Sequence, residues 1–181
     1  MALFFLSQSM RIAILLFITC MGLFSCSSIP AGLTAVHPFD VQKYLGTWYE
    51  VARFDYRFER NLEKVSATYS LRGDGLIKVE NKGYDYLQKR WKQSVGKAKP
   101  ARDKETGMLK VSFFGPFYAG YNVIAIDADY QYALVAGDNL NYLWLLSRTG
   151  RLPDSVRDKY LQLARKAGFK TEDLIWVKQD R

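Results

Sequence analysis

Between Ser27 and Arg181 the chain has no cysteine; the two it contains, Cys20 and Cys26, lie near the N-terminus. A disulfide framework, a thiolate metal site and a catalytic thiol are therefore excluded from the body of the chain. Histidine is nearly absent as well. His37 is the single one, in a loop before Pro38, where it reads as a surface residue. With one histidine, and with no Gly-x-Ser-x-Gly or His-Glu-x-x-His string, no Ser/His/Asp or zinc-peptidase machinery can be assembled, and the chain reads as no enzyme. A compact basic run is also missing. The net charge of +8 comes from 26 Lys and Arg against 18 Asp and Glu, scattered among strands and turns. That distribution describes a solvated basic surface first, an affinity for anionic lipid second, and nucleic acid a distant third. There is no internal repeat and no low-complexity tract. What remains is a 181-residue chain, enough for one domain with a core that needs no staples.

The first segment is an address. Residues 1–25 hold one charged side chain, Arg11, followed by the apolar run Ile12 to Ile18. This is a basic start and an apolar stretch too short to span a bilayer, the pattern of a secretory signal. Met10, directly before Arg11, is an alternative start. The segment ends Leu23-Phe24-Ser25-Cys26, which resembles the lipobox of bacterial lipoproteins, in spite of the bulky Phe24. That resemblance implies cleavage before Cys26, acylation of Cys26 (palmitate among the chains) and, with Ser27 following, an outer-membrane address facing the periplasm. Several acyl chains anchor stably where one does not. Loss of Arg11 with the signal leaves a mature charge of 8 − 1 = +7. The expected organisation is a signal at 1–25, a lipidated N-terminus and flexible tether at 26–36, and one domain at 37–181.

Aromatic residues make up 15% of the chain, with twelve Tyr and eleven Phe, which favours β-structure with large interior side chains. After a helical turn at Val41 to Leu45 capped by Asp40, alternation predicts strands near 46–54, 65–71, 76–84, 88–99, 108–114, 120–126, 131–136 and 142–148. Most are joined by brief turns; Asp55 to Lys64 is longer and reads as a lid over an opening. Eight short strands in a meander are enough to close a barrel around one small ligand, and closure removes the exposed edges. Pro153-Asp154-Ser155 then starts an amphipathic helix, with Val156, Tyr160, Leu163, Ala164 and Ala167 at helical spacing and Gly168 at its end. Leu174 to Val177 reads as a last short strand. The fold class is all-β: an eight-stranded up-and-down antiparallel barrel with a C-terminal helix outside.

Three separated features resemble the lipocalin family. Gly46-x-Trp48 opens the first strand, Asp129-Tyr130 precedes the seventh, and Arg148 ends the eighth. The strings Gly46-Thr47-Trp48-Tyr49-Glu50-Val51-Ala52-Arg53 and Phe113-Phe114-Gly115-Pro116-Phe117-Tyr118 are closer still to bacterial lipocalins anchored in the outer membrane, relatives of apolipoprotein D. The resemblance implies that Gly46, Trp48, Asp129, Tyr130 and Arg148 are a structural signature, with Arg148 stacked on Trp48 to seal the barrel floor.

Strand parity gives the expected lining of the cavity: Glu50, Ala52, Phe54, Tyr69, Val111, Phe113, Tyr121, Val123, Leu134 and Trp144. Apolar and aromatic groups of this kind suit an acyl chain. Glu50 shares the parity of Trp48, so an inward carboxylate must find a partner or a raised pKa. Arg53, Arg57 and Arg60 read as mouth residues that steer an anionic head group or serve as plain loop charges. The family resemblance implies fatty acids or lysophospholipids as the small hydrophobic ligand, bound and stored or transported in the bacterial envelope, without cofactor or metal. The alternatives are a structural envelope protein with a filled barrel and a lipocalin-fold enzyme acting on lipids. Whether the chain pairs with itself as a homodimer is left open by the sequence.

Overall fold

The computed structural model describes residues 29–179; the signal segment and Cys26 lie outside these. Helix α1 (Val41–Tyr44) is one turn, started by Asp40, whose Oδ1 accepts from the Gln42 N–H at 2.8 Å. Gly46 follows at φ +93°, a left-handed conformation that a side chain would strain. Strand β1 (Gly46–Arg53) then begins a meander of β2 (Leu62–Leu71), β3 (Ile77–Asp85), β4 (Arg90–Pro100), β5 (Met108–Ser112), β6 (Ala119–Ile126), β7 (Tyr132–Ala136) and β8 (Leu143–Ser147). Each strand pairs antiparallel with the next, and β1 pairs with both β2 and β8, so the sheet closes into the expected eight-stranded barrel. The ninth strand, β9 (Ile175–Trp176), adds to β1 from outside.

Apolar burial falls into two layers. One fills the barrel: Trp48, Ala67, Tyr69, Ile77, Val79, Ala98, Leu109, Val123, Ala133, Val135 and Leu146. The other lies outside it, beneath helix α2 (Asp154–Lys166), which lays Tyr160 and Ala164 on Ala52, Ile124, Leu134, Ala136, Leu143 and Leu145. Strands β7 and β8 are covered on both faces. Their side chains therefore read as a continuous apolar run in place of a strict alternation.

Two expectations are corrected here. The segment taken as a flexible tether is packed from Ile29 onward. Ile29 and Leu33 lie against the outer layer and Ala35 is buried. Val36 donates to Val123 O at 2.9 Å and accepts from Gly107 N at 2.9 Å. The folded unit thus starts before residue 37, because bare strand surface at the end of β6 needs apolar and backbone partners. Second, β2 starts at Leu62, three residues early, and carries a register shift between Glu63 and Ser66 within it. This shortens the long loop to residues 54–61.

Candidate ligand-binding site

The closed end is built from the signature residues. The Arg148 guanidinium stands 3.9 Å from the centre of the Trp48 ring. It donates to the carbonyls of Lys43 (2.8 Å), Leu45 (2.9 Å), Thr47 (2.9 Å) and, from Nε, Tyr130 (3.2 Å). Trp48 Nε1 donates to Tyr44 O at 2.9 Å. One cation thereby ties α1, the start of β1 and the β6–β7 turn to the indole. In that turn the Asp127 carboxylate accepts from the N–H groups of Asp129, Gln131 and Tyr132, while Asp129 itself is exposed. Tyr130 takes φ +55° and its hydroxyl accepts from Asp40 N at 2.8 Å.

Above the indole the barrel is filled. Tyr44 packs 4.9 Å from Trp48, and its hydroxyl meets that of Tyr121 at 2.7 Å; Tyr69 donates to the same Tyr121 oxygen at 2.8 Å. Burial pushes all three phenols up, so this chain of hydroxyls stays protonated. Tyr69 and Tyr121 do face inward, but they belong to this plug. Tyr44 had no signal beyond its helical turn.

Higher in the barrel lies a buried ionic group. Arg53 Nε is 3.5 Å from Glu50 Oε2 and 3.5 Å from Glu59 Oε2, with all three side chains at most 8% exposed. The Arg53 Nη groups donate to the carbonyls of Phe54 (3.2 Å), Glu59 (2.6 Å) and Leu62 (3.3 Å). Glu59 also accepts from Trp144 Nε1 at 3.3 Å. Burial pushes the Glu50 carboxyl well up and raises Glu59, opposed in both by Arg53. Two acids face one cation, so one proton taken up by the pair would balance the guanidinium. Tyr56, from the same loop as Glu59, packs against Tyr142 and Trp144 at 5.6 and 5.7 Å, so the loop reaches into the mouth as a lid.

The predicted lining is therefore redistributed. Glu50, Val111, Phe113, Val123 and Trp144 point inward with the interior layer. Ala52, Phe54 and Leu134 do not: all three belong to the layer under α2. For Ala52 and Phe54 the reason is the register shift between Glu50 and Ala52 in β1, which inverts parity; Leu134 lies in unbroken β7, opposite Leu145 of the same outer layer. The same shift turns Arg53 inward to 1% exposure, so it is no mouth residue, whereas Arg57 and Arg60 are exposed. On the opposite wall, register places Asn81, Ser94 and Gly96 on the inward face with Ile77, Val79 and Ala98. These are small, and Ser94 is exposed although it faces the interior. Asn81 Oδ1 is buried without a hydrogen-bond partner, as is Glu50 Oε2 beyond its ion pair with Arg53.

The result is a barrel with a sealed floor, an aromatic lower half, and an upper half whose inward positions are small on one side and ionic on the other. This is the architecture of β-barrels that carry one small hydrophobic ligand. A family model described as a lipocalin-like domain matches residues 39–179. The chain is 55% identical over 157 residues to the outer membrane lipoprotein Blc of Citrobacter freundii, covering 86% of this chain and 89% of that protein. It is 45% identical over 168 residues to the outer membrane lipoprotein Blc of Vibrio cholerae, covering 92% and 98%. Among solved structures, insecticyanin from the tobacco hornworm Manduca sexta superposes with a TM-score of 0.68 at 18% identity, over 85% of this chain and 88% of that one, a likeness of fold. The chain belongs to the lipocalin family. Among the described residues no group of His, Cys, Asp and Glu is arranged to hold a metal ion.

Proposed function

We propose that the protein is an outer-membrane lipoprotein, anchored through acylated Cys26, that binds one amphiphilic lipid in its upper barrel and holds or carries it within the bacterial envelope. Fatty acids and lysophospholipids are the ligand classes we assign to it. The observation that carries this reading is the wall of Asn81 and Ser94: inward-facing positions that reach solvent, with a buried acceptor left unanswered. A buried acceptor without a partner costs about 1–3 kcal/mol, which a ligand's hydroxyl or ammonium would recover. The Glu50–Arg53–Glu59 group has its charges paired internally, and we assign it to holding the lid loop rather than to turnover. The names of the relatives, outer membrane lipoproteins, support the location.

Purification without detergent followed by native mass spectrometry tests the reading and reports the oligomeric state in the same spectrum. The expected result is one bound lipid per chain that survives gentle desolvation and is lost on substituting Ser94→Trp. A chain that never carries lipid, even after incubation with excess lysophospholipid, would establish the filled-barrel alternative that the four packed aromatic rings of the lower half favour.

A further inference from the structure

The outside of the barrel is covered unequally. Helix α2 and the segment from Ile29 pack over β7, β8 and part of β6, whereas no helix lies on the outer face of β3, β4 and β5. On that face, behind the interior row of Ile77, Val79, Ala98 and Leu109, the register sets Lys78 directly across from Lys97 and Lys99 directly across from Lys110. Like charges directly opposite on an antiparallel pair destabilise it. Lys78 is answered by Glu80 at 3.0 Å, the one carboxylate at an outward position of these three strands. Among the described residues no carboxylate pairs with Lys97, Lys99 or Lys110. Asp138, beside the next strand, accepts instead from the Gly120 N–H at 2.8 Å. Lys97 and Lys99 both lean on the Tyr118 ring, 5.9 and 4.8 Å from its centre, a contact that gathers two cations without neutralising either. Ser112, directly across from Lys97, adds an independent mark. It is 4% exposed, and its hydroxyl has no hydrogen-bond partner. A buried donor left unanswered is itself destabilising, and this one stands among unpaired ammoniums.

We infer that Lys78, Lys97, Lys99, Lys110 and Ser112 form an anion site on the outer wall, whose ligand is a multiply charged phosphate, free or carried on a saccharide. A chloride or a single carboxylate neutralises one ammonium and leaves the rest opposed. A phosphate group brings several charged oxygens at once, which lysines meet as point charges and the Ser112 hydroxyl meets as a donor. Tyr118 holds Lys97 and Lys99 side by side for it. An extended polyanion or an anionic bilayer fits less well, because both favour cations spread along a track. Here the next outward positions of β4, Val95 and Gln93, are uncharged, and Lys82 lies over the Trp91 ring at 4.6 Å. The site is outside the barrel and goes beyond the lipid reading. It needs neither a ligand in the barrel nor acylation of Cys26, so either reading can fail without the other.

The mature full-length chain is titrated with inorganic pyrophosphate at constant ionic strength, by calorimetry and by thermal melts. One pyrophosphate per chain is expected, with Tm rising by about 3–5 °C at roughly ten times Kd. In K97Q/K110Q the affinity should fall about tenfold or more. The ligand-free variant should melt no lower than wild type at low salt, since both like-charged pairs are gone. S112A should lose affinity about threefold and also melt no lower, because the hydroxyl it removes has no partner to lose. Glucose-1-phosphate in the same titration separates the sources: binding tighter than pyrophosphate assigns the site to a phosphorylated saccharide, weaker binding to the free anion, and either supports it. A Tm rise matched by sodium chloride at the same ionic strength overturns the inference, as does affinity kept in full by K97Q/K110Q. Binding to phosphatidylglycerol vesicles with no response to pyrophosphate would give these lysines to a bilayer, and overturns it too.

Discussion

Substituting Arg53→Met puts the buried ionic group to its most exacting trial. The side chain keeps much of its volume but leaves two carboxyls without a cation, and the carbonyls of Phe54, Glu59 and Leu62 without a donor. Removing one partner of a buried ion pair costs about 3–5 kcal/mol, which for a domain of this size lowers Tm by about 6–20 °C. The sign with pH follows from the raised carboxyls. A carboxyl whose folded pKa lies above its unfolded value favours the folded state at low pH and loses that contribution as pH rises through the folded value. Burial raises both Glu50 and Glu59, and Arg53 is what opposes the rise. Without it the deficit is largest at neutral and alkaline pH. Below about pH 3, where both acids are neutral even when unfolded, it shrinks to the lost carbonyl bonds, about 1–3 kcal/mol. Thermal melts of wild type and Arg53→Met from about pH 3 to pH 8 measure this. Adding Glu50→Gln and Glu59→Gln should flatten the profile and recover most of the neutral-pH loss. A deficit identical at both ends of the range would refute the reasoning, since the buried acids would then carry no charge for Arg53 to answer.

Arg148→Met should cost about 3–5 kcal/mol, because the lost stacking on Trp48 (about 0.5–2 kcal/mol) adds to several orphaned carbonyls. Arg148→Lys should recover less than half of it in urea unfolding, since one ammonium cannot replace the guanidinium fork. Leu134→Ala, in the layer under α2, should destabilise by about 2–5 kcal/mol and leave lipid affinity unchanged by fluorescence titration. A tenfold affinity loss there would restore Leu134 to the cavity. Glu59→Gln keeps the shape of the lid but weakens its tie to Arg53. Stopped-flow lipid entry should become several-fold faster, with the equilibrium affinity altered less.

How much of this could be read in the chain is uneven, for physical reasons. The barrel, its floor and the outer helix were legible because each rests on a local signal: alternation in β2 and β3, Gly46 before Trp48, the helical spacing from Val156 to Ala167. The anchoring group of the lid was not. Glu59 lies in a loop with no period, and it is buried only because Arg53 and Trp144 wait for it inside. Leu134 was unreadable for a different reason. Ala133, Leu134, Val135 and Ala136 are all buried, so composition is equally apolar on the face toward the cavity and the face toward α2.

The irregularity in β1 is the most consequential of these. In an unbroken strand Glu50 and Arg53, three apart, face opposite ways, and Arg53 would stand in solvent. The shift between Glu50 and Ala52 adds half a period and points both inward, 3.5 Å apart. The price of burying a guanidinium is met by three carbonyls and two acids, one of which, Glu59, arrives from the lid. The strand irregularity, the buried cation and the loop that closes the mouth are therefore one device. A residue inserted or deleted at Val51 should act on all three together, exposing Arg53, freeing residues 54–61 to protease, and opening the barrel. Limited proteolysis of such a variant, with cleavage mapped by mass spectrometry, would show the lid loop cut first; a lid still protected while Arg53 titrates in water would separate the parts and break this account.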